Sequence, residues 1–222
     1  RMAAAASSYS SSRSANVRLS DLALGTRVVL RVVAAVIRGF CLKAPPREGD
    51  PTTSPLSPCH RALLVELLLP LHAVPGKVSY SEPALSLIYH PLVGCLVEFV
   101  RHDPAWALPT IMRRVLTHWP HASAGNSPKE ILMVQELSTM LELSEQLSCG
   151  ADEEGSAGGK SASFSVLLQY PERRLLFARI AACLSSDNSL VCQAALRLWS
   201  VPGVTSFFRR YWNEVLEDCW VP

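Results

Sequence analysis

Few residues in this chain combine the type and the spacing that chemistry needs. His118 and His121 stand three apart, but Trp119-Pro120 lies between them. A residue before proline is pushed out of the α region, so the two imidazoles are not expected to share a helix face, and the spacing fits no standard zinc pattern. Cys59 and His60 are adjacent. Neighbouring helical side chains diverge, so they make no nucleophile–base pair. The glycines from Gly150 to Gly159 sit among acids and follow no strand, the wrong setting for cradling a phosphate. No nucleophile-elbow, Walker-type or dinucleotide pattern occurs. Ser127-Pro128 has the form of a phosphorylation site, although helix capping accounts for it better. No catalytic residue, metal or cofactor is expected, and the chain does not read as an enzyme.

Composition points the same way. The 222 residues carry a net charge of +2, with 49% hydrophobic and 18% charged content. That is a folded protein with a sizeable core. Nothing in it drives counterion release from nucleic acid or attraction to a membrane. Cys41, Cys59, Cys95, Cys149, Cys183, Cys192 and Cys219 are scattered, with no C-x-x-C pair. They read as reduced and mostly buried, not as a disulfide framework. The chain begins at Arg1 and reads as part of a longer product. Residues 1–20 are rich in Ala, Ser and Arg, the composition of a disordered tail or of a transit peptide. Residues 22–42 are apolar enough to suggest a membrane span, but Arg27, Arg31 and Arg38 fall inside it. Each would cost ~2.5–3.5 kcal/mol at a bilayer centre, so a transmembrane helix is rejected.

The elements are legible through proline and capping residues. Ser127 is placed to cap a helix with Pro128 at its first position and Glu130 closing a capping box. Met133, Leu137, Met140, Leu143 and Leu147 then make one apolar face. Trp119-Pro120 stops the helix before it. Similar signals precede other apolar runs: Ser57-Pro58, His90-Pro91, Leu108-Pro109 and Tyr170-Pro171, with Asp187 as a further cap. Alternating β-branched runs with Asn-Gly turns are missing, so no strand is expected. The chain reads as all-α, roughly eight helices of about 11–20 residues joined by short turns.

A repeat is visible within that pattern. Each copy has an apolar helix, an acidic turn at Asp103 or Asp187, a second helix and a closing Trp119 or Trp199. The tryptophans lie two units of ~40 residues apart, the period of HEAT or armadillo helix pairs. Such pairs bury their faces only by stacking, which predicts a HEAT/armadillo-like α-solenoid of antiparallel helix pairs over residues 21–222. Stretches 43–58 and 148–163, rich in Pro/Ser/Thr and Gly/Ser/acid, read as flexible inserts, which loop-closure entropy tolerates. A solenoid without reactive residues works as a scaffold or adaptor through its surface, and residues alone go no further than that.

Several strings carry a resemblance. "LLPLHAV", "IYHPLVGCLVEFVRHD", "VLTHWPHASAGNSPKEILMVQEL" and "ALRLW" resemble the B-prime regulatory subunit family of protein phosphatase 2A. The likeness is densest over residues 60–143 and weaker over 22–42 and 172–210. It implies a HEAT-like solenoid that docks on the phosphatase scaffold and catalytic subunits and recruits substrates bearing a Leu-x-x-Ile-x-Glu peptide. It also implies a cytoplasmic or nuclear location. "RVVAAVIRGF" looks like the family helix lining the peptide pocket. Val32 and Val36 match its pocket-facing positions, where the family has isoleucines, and His60 matches a histidine of the same groove. From periodicity alone the two valines read as core, and only the resemblance turns them toward a pocket. The departures matter. The family's cluster for the peptide glutamate has no counterpart in this chain, Ser57 replaces a lysine, Arg31 replaces an acid, and the 43–58 insert separates the groove helices. An apolar anchor supplies ~1.5–3 kcal/mol, and each missing charge-assisted hydrogen bond removes about as much. Weak or no binding of such a peptide is therefore expected of this chain alone. An unrelated helical-repeat scaffold or adaptor is the alternative.

Overall fold

The structure is a computed structural model that describes residues 23–39, 56–73, 77–79, 82–120, 127–150 and 170–213. Helix α1 spans residues 23–38. Helix α2 opens at Pro58–Ala62, widens into a π-helical Leu63–Leu68 and tightens into a 3₁₀ turn at Leu69–Ala73. Then come α3 Ala84–His102, α4 Pro104–Thr117, α5 Ser127–Gly150, α6 Tyr170–Leu184, α7 Ser189–Arg197 with a 3₁₀ extension, and α8 Pro202–Arg210. The all-α solenoid reading holds, with one small correction to the expectation of no strand. Lys77–Ser79 and Glu82–Pro83 form an antiparallel ladder between α2 and α3.

Several helix ends follow the sequence signals. Ser57 caps α2: its Oγ accepts from His60 N at 3.3 Å, while Ser57 N donates to His60 Nδ1 at 3.3 Å, with Pro58 at the first position. Asp103 caps α4 by accepting from Trp106 N at 3.2 Å. Others do not. Pro91 and Pro109 lie inside α3 and α4, not at the helix starts that the sequence pattern suggests. Pro104 already opens α4, and the largely buried face of α3 outweighs the one backbone bond that Pro91 removes. The cap of α7 is Asn188, not Asp187: its Oδ1 accepts from Leu190 N and Val191 N at 3.0 and 3.4 Å. Ser127 is itself the first residue of α5. Glu130 does not close a capping box; its buried carboxylate accepts from Trp119 Nε1 at 3.1 Å and Cys183 Sγ at 3.5 Å. Trp199 is 45% exposed, against 6% for Trp119, so the two repeat-closing tryptophans do not have matching environments.

Packing passes from each helix to its neighbours. Helix α5 is the hub, touching α3, α4, α7 and α8, while α4 also meets α6. The core runs through Phe99, Ile111, Met112, Met133 and Leu137, all fully buried. At the far end Phe177 of α6 meets Phe207 and Phe208 of α8, with ring centroids 6.1 and 5.8 Å apart. Largely buried carboxylates receive exposed arginines from adjoining helices: Arg38 on Glu98, Arg113 on Glu172 and Arg210 on Glu145, at 2.7, 2.6 and 2.9 Å. The stretch 1–20 lies outside the described residues, as do the predicted inserts except at their edges. There Leu56 is buried and α5 runs through Gly150.

Candidate functional site: an exposed apolar helix face

Every described residue of α1 from Ala23 to Arg38 is uncharged except Arg27, Arg31 and Arg38. Most of the rest are apolar, so periodicity cannot say which side faces the core. The fold decides it. Leu30 and Ile37 are 3% and 0% exposed, with Val33 and Ala34 packed beside them. Three contacts bind this side to α3. Cys95 Sγ donates to Leu30 O at 3.2 Å, His102 Nε2 donates to Ile37 O at 2.7 Å, and Arg38 holds Glu98 through Nε and Nη2 at 3.1 and 2.7 Å.

The other side is left in solvent. Leu24, Val28, Val29, Val32 and Val36 are between 55% and 60% exposed. Val32 and Val36 are one turn apart and so project from the same face. They are surface residues and not core. Scattered exposed apolar residues need no explanation, but five aliphatic side chains on one helix face make a patch of the kind that marks a docking surface.

His60, the third predicted site residue, is partly buried and sits in the capping box of α2. Its Nδ1 accepts from the Ser57 amide, which leaves Nε2 as the ring atom not used by the cap. The structure thus brings Val32 and Val36 together and gives His60 a capping role on the following helix. Cys59 is exposed beside it, and its neighbour's ring is turned toward Ser57, not toward the thiol.

Among the described residues the remaining candidates offer no reactive centre. His118 Nδ1 donates to Arg114 O at 3.1 Å, and His121 lies outside the described residues. Among the described residues no three His, Cys, Asp or Glu side chains are grouped to hold a metal. Cys95 and Cys183 are buried, and burial pushes their thiols up to about 11 and about 12, far from the thiolate that reactivity requires. An open trough of about 210 Å³ lies between α5 and α7, floored by Val134 and Leu198. Helix α3 is long and apolar enough to cross a bilayer, but it is the core helix on which α1 and α5 pack.

Sequence reasoning missed a buried ion pair. His72 and Glu136 are 0% and 1% exposed. His72 Nε2 lies 2.9 Å from Glu136 Oε1 and its Nδ1 lies 2.9 Å from Leu69 O. Both partners are acceptors, so the geometry asks for a doubly protonated ring. Burial would lower the histidine pKa, but the Glu136 carboxylate and the Leu69 carbonyl more than offset it and hold the value above its usual range. The residues are 64 apart; the one available signal was a histidine inside the apolar run "LLLPLHAV".

Comparison with known proteins now adds to this geometry. Residues 50–150 match the family described as protein phosphatase 2A regulatory B subunit (B56 family). The serine/threonine-protein phosphatase 2A 56 kDa regulatory subunit delta isoform of Saccharomyces cerevisiae is 29% identical over 177 residues, which are 79% of this chain and 17% of the relative. The delta isoform of the 55 kDa B-prime regulatory subunit from Arabidopsis thaliana is 28% identical over 187 residues, 84% of this chain and 30% of the relative. The human 56 kDa delta isoform is 28% identical over 177 residues, 79% of this chain and 22% of the relative. The chain thus spans less than a third of the length of these relatives. Over residues 50–150 the chain is thus similar to the B56 family of protein phosphatase 2A regulatory B subunits, and its helical architecture agrees with that likeness.

Proposed function

We propose that this chain is a non-catalytic regulatory part of protein phosphatase 2A, one that recruits substrates to the phosphatase and modulates its activity in signalling. Its partners on this reading are the scaffold and catalytic subunits, and its setting is the cytoplasm or nucleus. The chemistry belongs to the catalytic partner. The observation that carries the reading is the B56 match over residues 50–150, which covers α2 through α5, the elements that form the middle of the solenoid.

On the same reading, Val32 and Val36 seat the apolar residues of a Leu-x-x-Ile-x-Glu substrate peptide, with His60 at the edge of the seat. Their exposure, 59% and 56%, supports this, because a seat has to be open to its ligand. The smaller valines keep the expected affinity low. The decisive experiment is affinity purification of the tagged 222-residue chain from cells. Recovery of the phosphatase scaffold and catalytic subunits in stoichiometric amount is the expected result. A chain that is soluble and folded yet brings down neither subunit would overturn the assignment.

A further inference from the structure

An arginine three residues before a hydroxyl is the pattern that arginine-directed protein kinases read. Their acidic cleft takes up the guanidinium while the hydroxyl reaches the γ-phosphate of ATP. Among the described residues the pattern occurs twice: Arg114 precedes Thr117, and Arg197 precedes Ser200. In sequence the two are equivalent. The fold separates them.

A kinase holds the stretch from arginine to acceptor extended, so the sites differ in what must be undone. Thr117 is the last residue of α4. Its Oγ1 donates to Arg113 O and Arg114 O at 2.8 and 3.1 Å. The residues between it and Arg114, Val115 and Leu116, are both 0% exposed. Extending this turn would draw two core side chains into water. Ser200 instead closes the 3₁₀ turn Leu198–Ser200, where Val201 N donates to Leu198 O at 3.2 Å. Arg197, Trp199 and Ser200 are exposed, and of these four residues only Leu198 is buried. Val201 is already extended, with φ −97° and ψ 116°, as the following Pro202 requires. A short 3₁₀ turn with poor hydrogen-bond geometry opens more readily than a packed helix.

The same turn suits the product. Side chains three apart in a 3₁₀ turn eclipse, so Arg197 and Ser200 lie on one side of it, and a phosphate on Ser200 has a guanidinium beside it. One residue further on, α8 begins. Its N-cap Val201 makes no side-chain cap, and its first turn holds no acid. A phosphate carrying about −1.5 to −2 charge complements that uncompensated helix end.

We infer that Ser200 is a phosphorylation site for an arginine-directed serine/threonine kinase, with Arg197 as its recognition residue, and that Thr117 is not. In the reaction Ser200 Oγ attacks the γ-phosphorus of ATP. The new O–P bond replaces the bond to the β-phosphate oxygen, ADP leaves, and the hydroxyl proton passes to the catalytic aspartate of the kinase. The inference does not depend on the phosphatase reading.

The test incubates the whole 222-residue chain with ATP and the active catalytic domain of calcium/calmodulin-dependent protein kinase II, and locates phosphate by mass spectrometry of tryptic fragments. Synthetic peptides of residues 110–121 and 193–204 run beside it. Both peptides should be phosphorylated. In the native chain the initial rate at Ser200 should exceed that at Thr117 at least about 10-fold. Arg197→Ala should lower the Ser200 rate at least about 10-fold in chain and peptide alike; the peptide keeps this arm free of any folding defect. The phosphorylated chain should melt at a higher temperature than the unmodified one. Thr117 modified as fast as Ser200 in the native chain overturns the inference, and so does a native chain or a Ser200 peptide that takes no phosphate at Ser200. An undiminished Ser200 rate in Arg197→Ala overturns the role of Arg197. An unchanged or lower melting temperature overturns the placement of the phosphate between Arg197 and α8.

Discussion

His72 has two ring nitrogens, and both face an oxygen that can only accept. The pair it makes with Glu136 ties the turn after α2 to the middle of α5, across 64 residues of chain. Buried pairs are weak evidence of net stability, but breaking one by removing a single partner leaves an uncompensated group and typically costs about 3–5 kcal/mol. Glu136→Leu and His72→Phe should each lower the unfolding free energy, read from urea unfolding, by that order. The double variant should recover part of the loss, since it removes both charges together. The pH dependence follows in sign. The folded pKa of His72 is raised. Its contribution is therefore complete below the unfolded value of about 6.5, declines above it, and is gone once pH passes the folded value. Urea titrations from about pH 5.5 to about pH 9 should show this decline in the native protein and not in His72→Phe. An identical pH profile in both would show that the ring does not carry the proton its geometry asks for.

At the scale of the element, caps and close approaches separate what the sequence could reveal from what it could not. Asn188→Ala should destabilise by about 1 kcal/mol, as the loss of an N-cap does, whereas Asp187→Ala should stay within about 0.5 kcal/mol. Equal effects would mean that the cap of α7 is shared. Gly203 lies where α8 crosses α5. A β-carbon there would come 2.9 Å from the Glu142 Cα, against backbone that cannot swing aside. Gly203→Ala should therefore cost about 1–3 kcal/mol by overpacking, measured by thermal or urea unfolding. The helical character of the chain, the Ser57-Pro58 start and the Trp119-Pro120 stop were legible, because each is a local signal with a local cause. Pro91 and Pro109 misled because proline reports only what its own residue cannot do; burial of the rest of a long helix decides whether that matters. Glu130 misled for a related reason. Its offset from Ser127 fitted a cap, but the indole of Trp119 and the thiol of Cys183, distant in sequence, compete for the same carboxylate. The site shows the same division. A helix as rich in apolar residues as α1 does not by itself show which valines face water, so Val32 and Val36 are placed at the surface only once α3 claims the side with Leu30 and Ile37.

The whole molecule is a row, and a row can come apart in pieces. Helix α1 is held by α3, and the α6–α8 end is held by α4 and α5. In such an array each unit is stabilised by its neighbours, so damage at one end need not reach the other. Two cysteines report the two ends. Cys95 is sealed under α1 by its contact with Leu30 O, and Cys183 is sealed against Glu130; Cys59 is exposed. In the native chain, iodoacetamide followed by peptide mapping should label Cys59 promptly and leave Cys95 and Cys183 protected. Ile37→Asp places a charge at a fully buried site on the α1–α3 contact, so it should expose Cys95 while Cys183 remains protected. The surface change Val36→Asp should expose neither, although it lies one residue away, because Val36 is 56% exposed. Simultaneous labelling of Cys95 and Cys183 in Ile37→Asp would mean that the helices unfold as one block. That outcome would replace the row with a single cooperative core, and a docking face on α1 could then not be altered without altering everything behind it.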